Sequence, residues 1–298
     1  MLATFFIFEY NFELMKIAFL GPHASFTQLA ASQIFPDTEL VPQSSILDCF
    51  NAVKNSEVEK AVVPLENSIE GTVSMTLDYL YQFQNIYIET EVVMPIAHHL
   101  MIHPDNENFE KIISHPQALA QTFHFRVSNY GDVPTQDFSS TSASAKLVSE
   151  NPNQKWAAVA NHYAAKLYGL KIIHENIQDF EQNHTKFIVI STNPNRGLGS
   201  AEVLNYPKTS EKTSLLITLP DDHAGGLHQV LSVFAWRKMN LSKIESRTLK
   251  TGLGNYFFFI NVANEWHPVL SENALEELRS IGAGVKFLGH YEEFLLES

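Results

Sequence analysis

Asn183-His184-Thr185-Lys186-Phe187-Ile188-Val189-Ile190 is the stretch on which the fold reading turns, because a polar segment with one hydroxyl and one permanent cation runs straight into an apolar run. Phe187 to Ile190 are aromatic or β-branched without interruption, which predicts a strand buried on both faces in a parallel sheet. Thr185 and Lys186 then form a polar turn at the rim of a rigid core, a position suited to catalysis. The plainer reading is a strand whose leading polar residues are only solvated. Neighbouring stretches decide between the two.

On the N-terminal side the same texture repeats. Trp156 to Ala160 reads as a strand, Asn161 to Tyr168 as a helix closed by Gly169, and Leu170 to His174 as a return to the sheet. Lys111 to Ser114 is a strand leading into a helix at His115-Pro116-Gln117-Ala118-Leu119-Ala120-Gln121, with proline near its first position. Ser139-Ser140-Thr141-Ser142 precede an alanine-rich helix ending at Glu150, and four hydroxyls exceed the needs of one cap. Further back, Lys60 to Pro64 is a strand, Leu65 to Gly71 a loop rich in polar function, and Thr72 to about Phe83 a helix. The first unit is strand Lys16 to Leu20, loop Gly21 to Ser25, and a helix with Phe26, Leu29, Ala30 and Ile34 on one face. Its helix start and the Ser25 and Thr27 hydroxyls could receive an anion, although an ordinary cap explains Ser25 equally well. Alternating strands and helices from Lys16 to Ser191 predict an α/β domain with its ligand site beyond the strand ends.

Ile86 to His103 reads as two strands crossing into a second lobe. His98, His99 and His103 do not make a metal set, since neighbours on a strand face opposite ways and no carboxylate or cysteine completes the ligands. Asn193 to Lys212 reads as a linker marked by Pro194, Gly197 and Gly199. Beyond it come strand Thr213 to Leu219, helix Leu227 to Lys238, strands Leu241 to Ser246 and Tyr256 to Val262, helix Ser271 to Ile281 and strand Val285 to Tyr291. That is the βαββαβ order of a ferredoxin-like unit, over residues 213–298. Gly252 and Gly254 lack a third glycine and a following helix, so they mark a hairpin turn and not a dinucleotide site.

Composition narrows the function. The chain has 298 residues, 45% of them apolar, enough for two or three domains with a substantial core. Twenty Lys plus Arg against thirty-three Asp plus Glu give a net charge of -13, which argues against nucleic acid or anionic membrane as partners. The single cysteine, Cys49, allows no intramolecular disulfide and fits a reducing, cytoplasmic setting. Residues Met1 to Leu14 carry Glu9 and Glu13 and lack a basic segment and a cleavage site, so they do not read as a signal peptide. Met15-Lys16 directly precedes a clean strand, and Met15 is expected to be the natural start after a poorly ordered extension.

Taken together, Gly21-Pro22 with Ser25-Phe26, Pro64-Leu65-Glu66-Asn67-Ser68-Ile69-Glu70-Gly71, Ser114-His115-Pro116-Gln117-Ala118-Leu119, Thr141-Ser142-Ala143 and Asn183-His184-Thr185-Lys186-Phe187 stand in the order and spacing of prephenate dehydratase. The C-terminal unit resembles that family's ACT regulatory domain. The resemblance implies a two-lobed, periplasmic-binding-protein-like catalytic domain over 15–192, an ACT domain over 213–298, and a homodimer or homotetramer. It implies conversion of prephenate to phenylpyruvate, water and CO2 with no cofactor and no metal, and feedback inhibition by L-phenylalanine. Thr185 would act at the leaving hydroxyl and Lys186 would hold a substrate carboxylate. Ser25, Asn67, Ser68, Thr141, Ser142 and Phe187 would line the site. Gly225, Gly226, Leu227, His228, Glu245, Ser246 and Arg247 would bind phenylalanine.

Three departures from the family pattern stand out. Thr185-Lys186-Phe187 replaces Thr-Arg-Phe, Gly225-Gly226-Leu227-His228 replaces Gly-Ala-Leu-Val, and Glu245-Ser246-Arg247-Thr248 replaces Glu-Ser-Arg-Pro. Lysine offers a point charge where arginine offers a two-pronged clamp. Arogenate as substrate, and a non-catalytic amino-acid sensor, are the alternative readings.

Overall fold

The computed structural model describes residues 15–194, 205–219, 224–249, 256–263 and 267–297. The expected extension at 1–14, Gly197 and Gly199 of the expected linker, Asp221 to His223 and the turn Gly252 to Asn255 lie outside the described residues. The chain begins β1 (Lys16–Leu20), α1 (Phe26–Ile34), β2 (Glu39–Gln43), α2 (Ile46–Lys54), β3 (Lys60–Asn67), β4 (Gly71–Thr72) and α3 (Ser74–Gln82). Ser25 and Ser45 start the first two helices by accepting hydrogen bonds from Gln28 N and Asp48 N, which satisfies otherwise orphaned donors. β1 pairs in parallel with both β2 and β3. The segment expected as a loop from Leu65 is instead a continuation of β3, folded back as a hairpin onto β4.

After β5 (Tyr87–Pro95) the chain leaves this sheet and builds a second one from β6 (His99–Ile102), β7 (Lys111–Ser114), β8 (Thr135–Asp137), β9 (Trp156–Ala160) and β10 (Lys171–His174). Its order is β10-β6-β9-β7-β8. Packed with it are α4 (Pro116–Gln121), α5 (Phe123–Tyr130), α6 (Thr141–Glu150) and α7 (His162–Tyr168). The chain returns as β11 (His184–Ser191), which lies between β3 and β5 and is antiparallel to both. Thr185 and Lys186 are therefore strand residues, not turn residues, and the apolar run sits in antiparallel pairing. Burial on both faces produces such a run whatever the strand direction. Ile188 and Ile190 join one core with Ala18, Val63, Leu77 and Leu80, while Phe187 and Val189 join the opposite core with Ile17, Phe19, Val62 and Ile34.

The last segment is β12 (Lys208–Thr218), α8 (Gly226–Trp236), β13 (Leu241–Thr248), β14 (Tyr256–Val262), α9 (Pro268–Ser280) and β15 (Gly284–Leu295). Its strands lie antiparallel in the order β13-β14-β12-β15. β12 starts at Lys208, inside the expected linker, where Lys208 to Lys212 are polar on both faces and carry no hydrophobic period but pair with β15. Their partners are carboxylates, among them Glu91, Glu292 and Glu293.

β15 then runs parallel to β5, pairing Glu293 with Glu91 and Leu295 with Val93, and joins both parts into a ten-stranded sheet. Alternation on β14 shows how the join is sealed. Phe258, Ile260 and Val262 pack under α8 and α9, whereas Phe257 and Phe259 enter the core shared with α2 and α3. Phe257 stacks on Tyr81 with ring centroids 4.8 Å apart. Each fully buried aromatic is worth about 1.5–3 kcal/mol by area, so this seam is an extension of the core and not a loose contact.

Candidate active site

The two crossings between the sheets lie side by side, with Ile96 N donating to Asn183 O at 2.8 Å. Beside them opens a cleft of about 440 Å³. The β1–α1 loop supplies Gly21, Pro22 and Ser25, the β3–β4 hairpin supplies Asn67, Glu70 and Thr72, and β11 supplies Thr185 and Phe187. From the second sheet's side come His115, Gln121, Ser140, Thr141 and Ser142, with His98 at the crossing.

Thr185 and Phe187, two apart on one strand, face the cleft together. Asn67 Nδ2 donates to Thr185 Oγ1 at 2.9 Å, so the threonine oxygen is fixed as an acceptor and its own hydrogen is left to donate. Asn67 is itself held: Nδ2 also donates to Asn183 Oδ1 at 3.0 Å, and Oδ1 accepts from Ile69 N and Glu70 N at 2.9 and 3.1 Å. Behind it, Asn183 Nδ2 donates to Gln121 Oε1 at 3.0 Å. His98 Nε2 lies 3.1 Å from the same oxygen and must be the protonated ring nitrogen. Burial pushes His98 down to about 4, so the imidazole is neutral at pH 7. Two buried atoms at this end of the cleft, Gln121 Nε2 and His98 Nδ1, have no protein partner. Gln121, His98 and Asn183 were not singled out as lining residues from sequence. The available signal was Gln121 on the same helix face as Ala118, a polar residue where the apolar stripe continues.

Lys186 does not line the cleft. Strand alternation turns it to the opposite face, where Nζ lies 3.6 Å from Glu66 Oε2 and 3.7 Å from Glu91 Oε1. Ser68 does not line it either; its Oγ donates to Gln182 O and accepts from His184 N, tying the hairpin to the crossing. Ser25 does line the cleft, with its hydroxyl spent on capping α1 and donating to Leu20 O at 3.1 Å. Thr141 and Ser142 lie at the start of α6, where Ser140 is the cap. Two helix N-termini, α1 and α6, thus open onto the cleft, and no lysine or arginine lines it among the described residues. Each presents free N–H groups and roughly half a positive charge.

The residues expected to bind phenylalanine fall on two elements, the start of α8 and β13. Gly225, with φ of 92°, caps α8, Gly226 is buried as its first residue, Leu227 packs inward and His228 is exposed. On β13, Glu245 accepts from Thr72 Oγ1 at 3.1 Å and Arg247 pairs with Asp78 at 2.9 Å, whereas Ser246 faces the other way and is exposed. Among the described residues no group of three or more His, Cys, Asp or Glu is placed to hold a metal ion, and no helix is long and apolar enough to cross a membrane.

Fold and cleft define an α/β protein with a polar cleft between two sheets, onto which two helix N-termini and a fixed hydroxyl open. The prephenate dehydratase family profile matches residues 17–195. Over 288 residues the chain is 43% identical to the prephenate dehydratase of Bacillus subtilis strain 168, covering 95% of this chain and 100% of that one. It is 41% identical over 283 residues to the prephenate dehydratase of Lactococcus lactis subsp. cremoris strain MG1363, covering 95% and 99%. The crystal structure of an Arthrobacter aurescens prephenate dehydratase in complex with L-Phe superposes with a TM-score of 0.80 at 31% identity, covering 93% of this chain and 90% of that one. The chain belongs to the prephenate dehydratase family.

Proposed function

We infer that the cleft converts prephenate to phenylpyruvate, CO2 and water, and the observation that carries the mechanism is the Asn67–Thr185 hydrogen bond. In this reaction the C1–carboxylate bond breaks, its electron pair moves through the ring diene, and the C4 hydroxyl leaves. Aromatisation drives the step, and one proton must reach the departing oxygen. Thr185, with its oxygen held by Asn67, donates a hydrogen bond there or relays the proton. Gln121 Nε2 and the N–H groups at the starts of α1 and α6 hold the carboxylates. Neutral donors bind a dianion without an ion pair, so the ring carboxylate loses little by leaving as CO2.

The two sheets flanking the cleft support the two-lobed catalytic arrangement, with residues 15–192 as its extent. The βαββαβ order and the strand order β13-β14-β12-β15 support reading the C-terminal unit as a ferredoxin-like ACT domain through which phenylalanine inhibits. With Glu245 and Arg247 engaged on the hairpin and α3, the phenylalanine site would form at an interface between copies in a homodimer or homotetramer, around Gly225 to His228. A non-catalytic sensor is disfavoured by the intact Thr185 arrangement. Arogenate is the second substrate to try, because Glu70 lines the cleft and could meet an ammonium group.

The test is purified protein with prephenate, then arogenate, following the ultraviolet signal of the aromatic product with and without phenylalanine. Thr185→Ala should lower kcat by about 100-fold. Full activity in that variant, or none in the parent, would overturn the assignment.

A further inference from the structure

β3 is held on one side by β11, where Thr185 pairs with Asn67 and Lys186 with Glu66, but the β4 arm that closes the hairpin carrying Asn67 has only two residue pairs. β4 contributes only Gly71 and Thr72, paired with Asn67 and Glu66 of β3. So short a ladder is marginal in water unless something outside it supplies the order. Ser68 ties the tip to the crossing, but the base of the hairpin is gripped from a different direction. Lys243 on β13 reaches across with Nζ 2.8 Å from Glu66 Oε1 and 2.8 Å from Thr72 Oγ1, one contact on each strand at the same residue pair. Thr72 in turn donates to Glu245 Oε2 at 3.1 Å, two residues further along β13. The Lys243 side chain is only 14% exposed, so the ammonium is partly desolvated and its contacts are less screened than those of a surface pair. Burial pushes the Glu66 carboxyl up, but Lys243 and then Lys186 outweigh it and hold Glu66 below the usual carboxylate range.

We propose that Lys243, on the C-terminal βαββαβ unit, is a positioning residue for the reaction: it locks Glu66 to Thr72 and so fixes the adjacent Asn67 at the distance that orients Thr185. It lies outside the cleft and touches no substrate. Adjacent residues on β3 face opposite ways, which puts Glu66 under Lys243 and Asn67 toward Thr185. Among the described residues β13 is an edge strand of the large sheet, its backbone paired with β14 alone. Any displacement of that edge would be passed to the catalytic hydroxyl through two side chains. The role rests on the dehydratase reading for its kinetic consequence, but not for its structural one.

The experiment compares the full chain with Lys243→Met, Lys243→Arg, Glu66→Gln and the Lys243→Met/Glu66→Gln double variant. It measures kcat and KM for prephenate, thermal melting, and amide hydrogen exchange across residues 68–71. Lys243→Met should lower kcat about tenfold while KM changes less, since the damage is to alignment of a transition-state donor. Lys243→Arg should recover most of the loss, because a guanidinium can span the same two oxygens. The double variant should be no worse than the poorer single one, as expected of two residues acting through one contact. Amides of residues 69 and 70, which bond to Asn67 Oδ1, should exchange faster in Lys243→Met. Parent-like kcat in Lys243→Met, a loss that arginine does not relieve, or single-variant losses that multiply in the double variant would each overturn the proposal. A parent without turnover would instead overturn the dehydratase reading, and exchange would then decide alone: unchanged protection at 68–71 in Lys243→Met removes the clamp.

Discussion

At the scale of single residues, Asn67 donates to Thr185 Oγ1 and leaves the threonine's own hydrogen as the group able to donate into the cleft. Lys186, one residue on, shows the opposite outcome. It lies against Glu66 and the fully buried Glu91 on the far side of the sheet. Lys186→Met should therefore leave KM for prephenate within roughly twofold of the parent and lower the melting temperature by about 2–4 °C. A tenfold rise in KM would return Lys186 to the substrate.

Glu91 itself is one of two carboxylates around Lys212, whose Nζ lies 3.1 Å from Glu91 and 2.5 Å from Glu293. Burial drives Glu91 up to about 7. Burial opposes charge on Glu293 too, but hydrogen bonds from Glu91, Lys212 and Thr209 outweigh it and hold Glu293 at about 2. One carboxylate thus carries the charge and the other keeps its proton. Between about 4.5 and 7 the folded state holds more protons at Glu91 than the unfolded chain, so this group's contribution to stability falls as pH rises and levels off above 7. His98 has the reverse slope: its depressed value means stability is lost as pH falls from about 6.5 to about 4. The two nearly cancel in the parent. Glu91→Gln should unmask His98, making the melting temperature rise more steeply from about pH 5 to about pH 7 than in the parent. Parallel profiles would show that Glu91 is ionised throughout.

At the scale of elements, β15 is where the architecture is least forgiving. Gly289 has φ of 149°, and a Cβ built there would lie 2.3 Å from Ile88 O on β5. The neighbouring register shift between Ser214 and Leu215 marks a bulge in β15, which stays paired with β12 as far as Phe294 while its other edge runs beside β5. Gly289→Ala must move backbone rather than a flexible side chain. It should cost about 2 kcal/mol or more in denaturant unfolding. A loss under about 0.5 kcal/mol would show that the strand relaxes freely there. The helices carry less surprise: Ser25, Ser45, Ser140 and Asn161 each accept a backbone hydrogen bond as N-caps, and Gly169 closes α7 at φ of 64°.

At the scale of the molecule, the C-terminal unit is continuous with the first part in both sheet and core. Removing it would uncover the edge of β5, strip Phe257, Phe259, Leu288 and Tyr291 from the core around Phe50, and leave Glu91 without Lys212. A chain ended at Thr192 should aggregate, or melt at least about 10 °C below the full chain, as judged by size-exclusion chromatography and circular dichroism. A soluble fragment melting with the parent would show two independent folding units. An exposed edge strand and a carboxylate stripped of its nearer cation are both costly, and the truncation creates one of each.

What the sequence by itself determined is what periodicity and local chemistry encode. The alternation of strands and helices, the βαββαβ order, the caps and the apolar run Phe187 to Ile190 as a strand are all legible, because each depends on residues within a few positions of one another. Tertiary structure alone decided which way each polar residue faces and what it meets. The family resemblance implies Lys186 in the site, but Thr185 and Phe187 share the cleft face and a strand sends neighbours to opposite faces. The β-strand character of Lys208 to Lys212 was hidden because its partners, Glu91, Glu292 and Glu293, lie far away in sequence. Asn67, Asn183, Gln121 and His98 form one connected chain behind the cleft only after the two crossings are brought together, and no local pattern records a hydrogen bond spanning 116 residues.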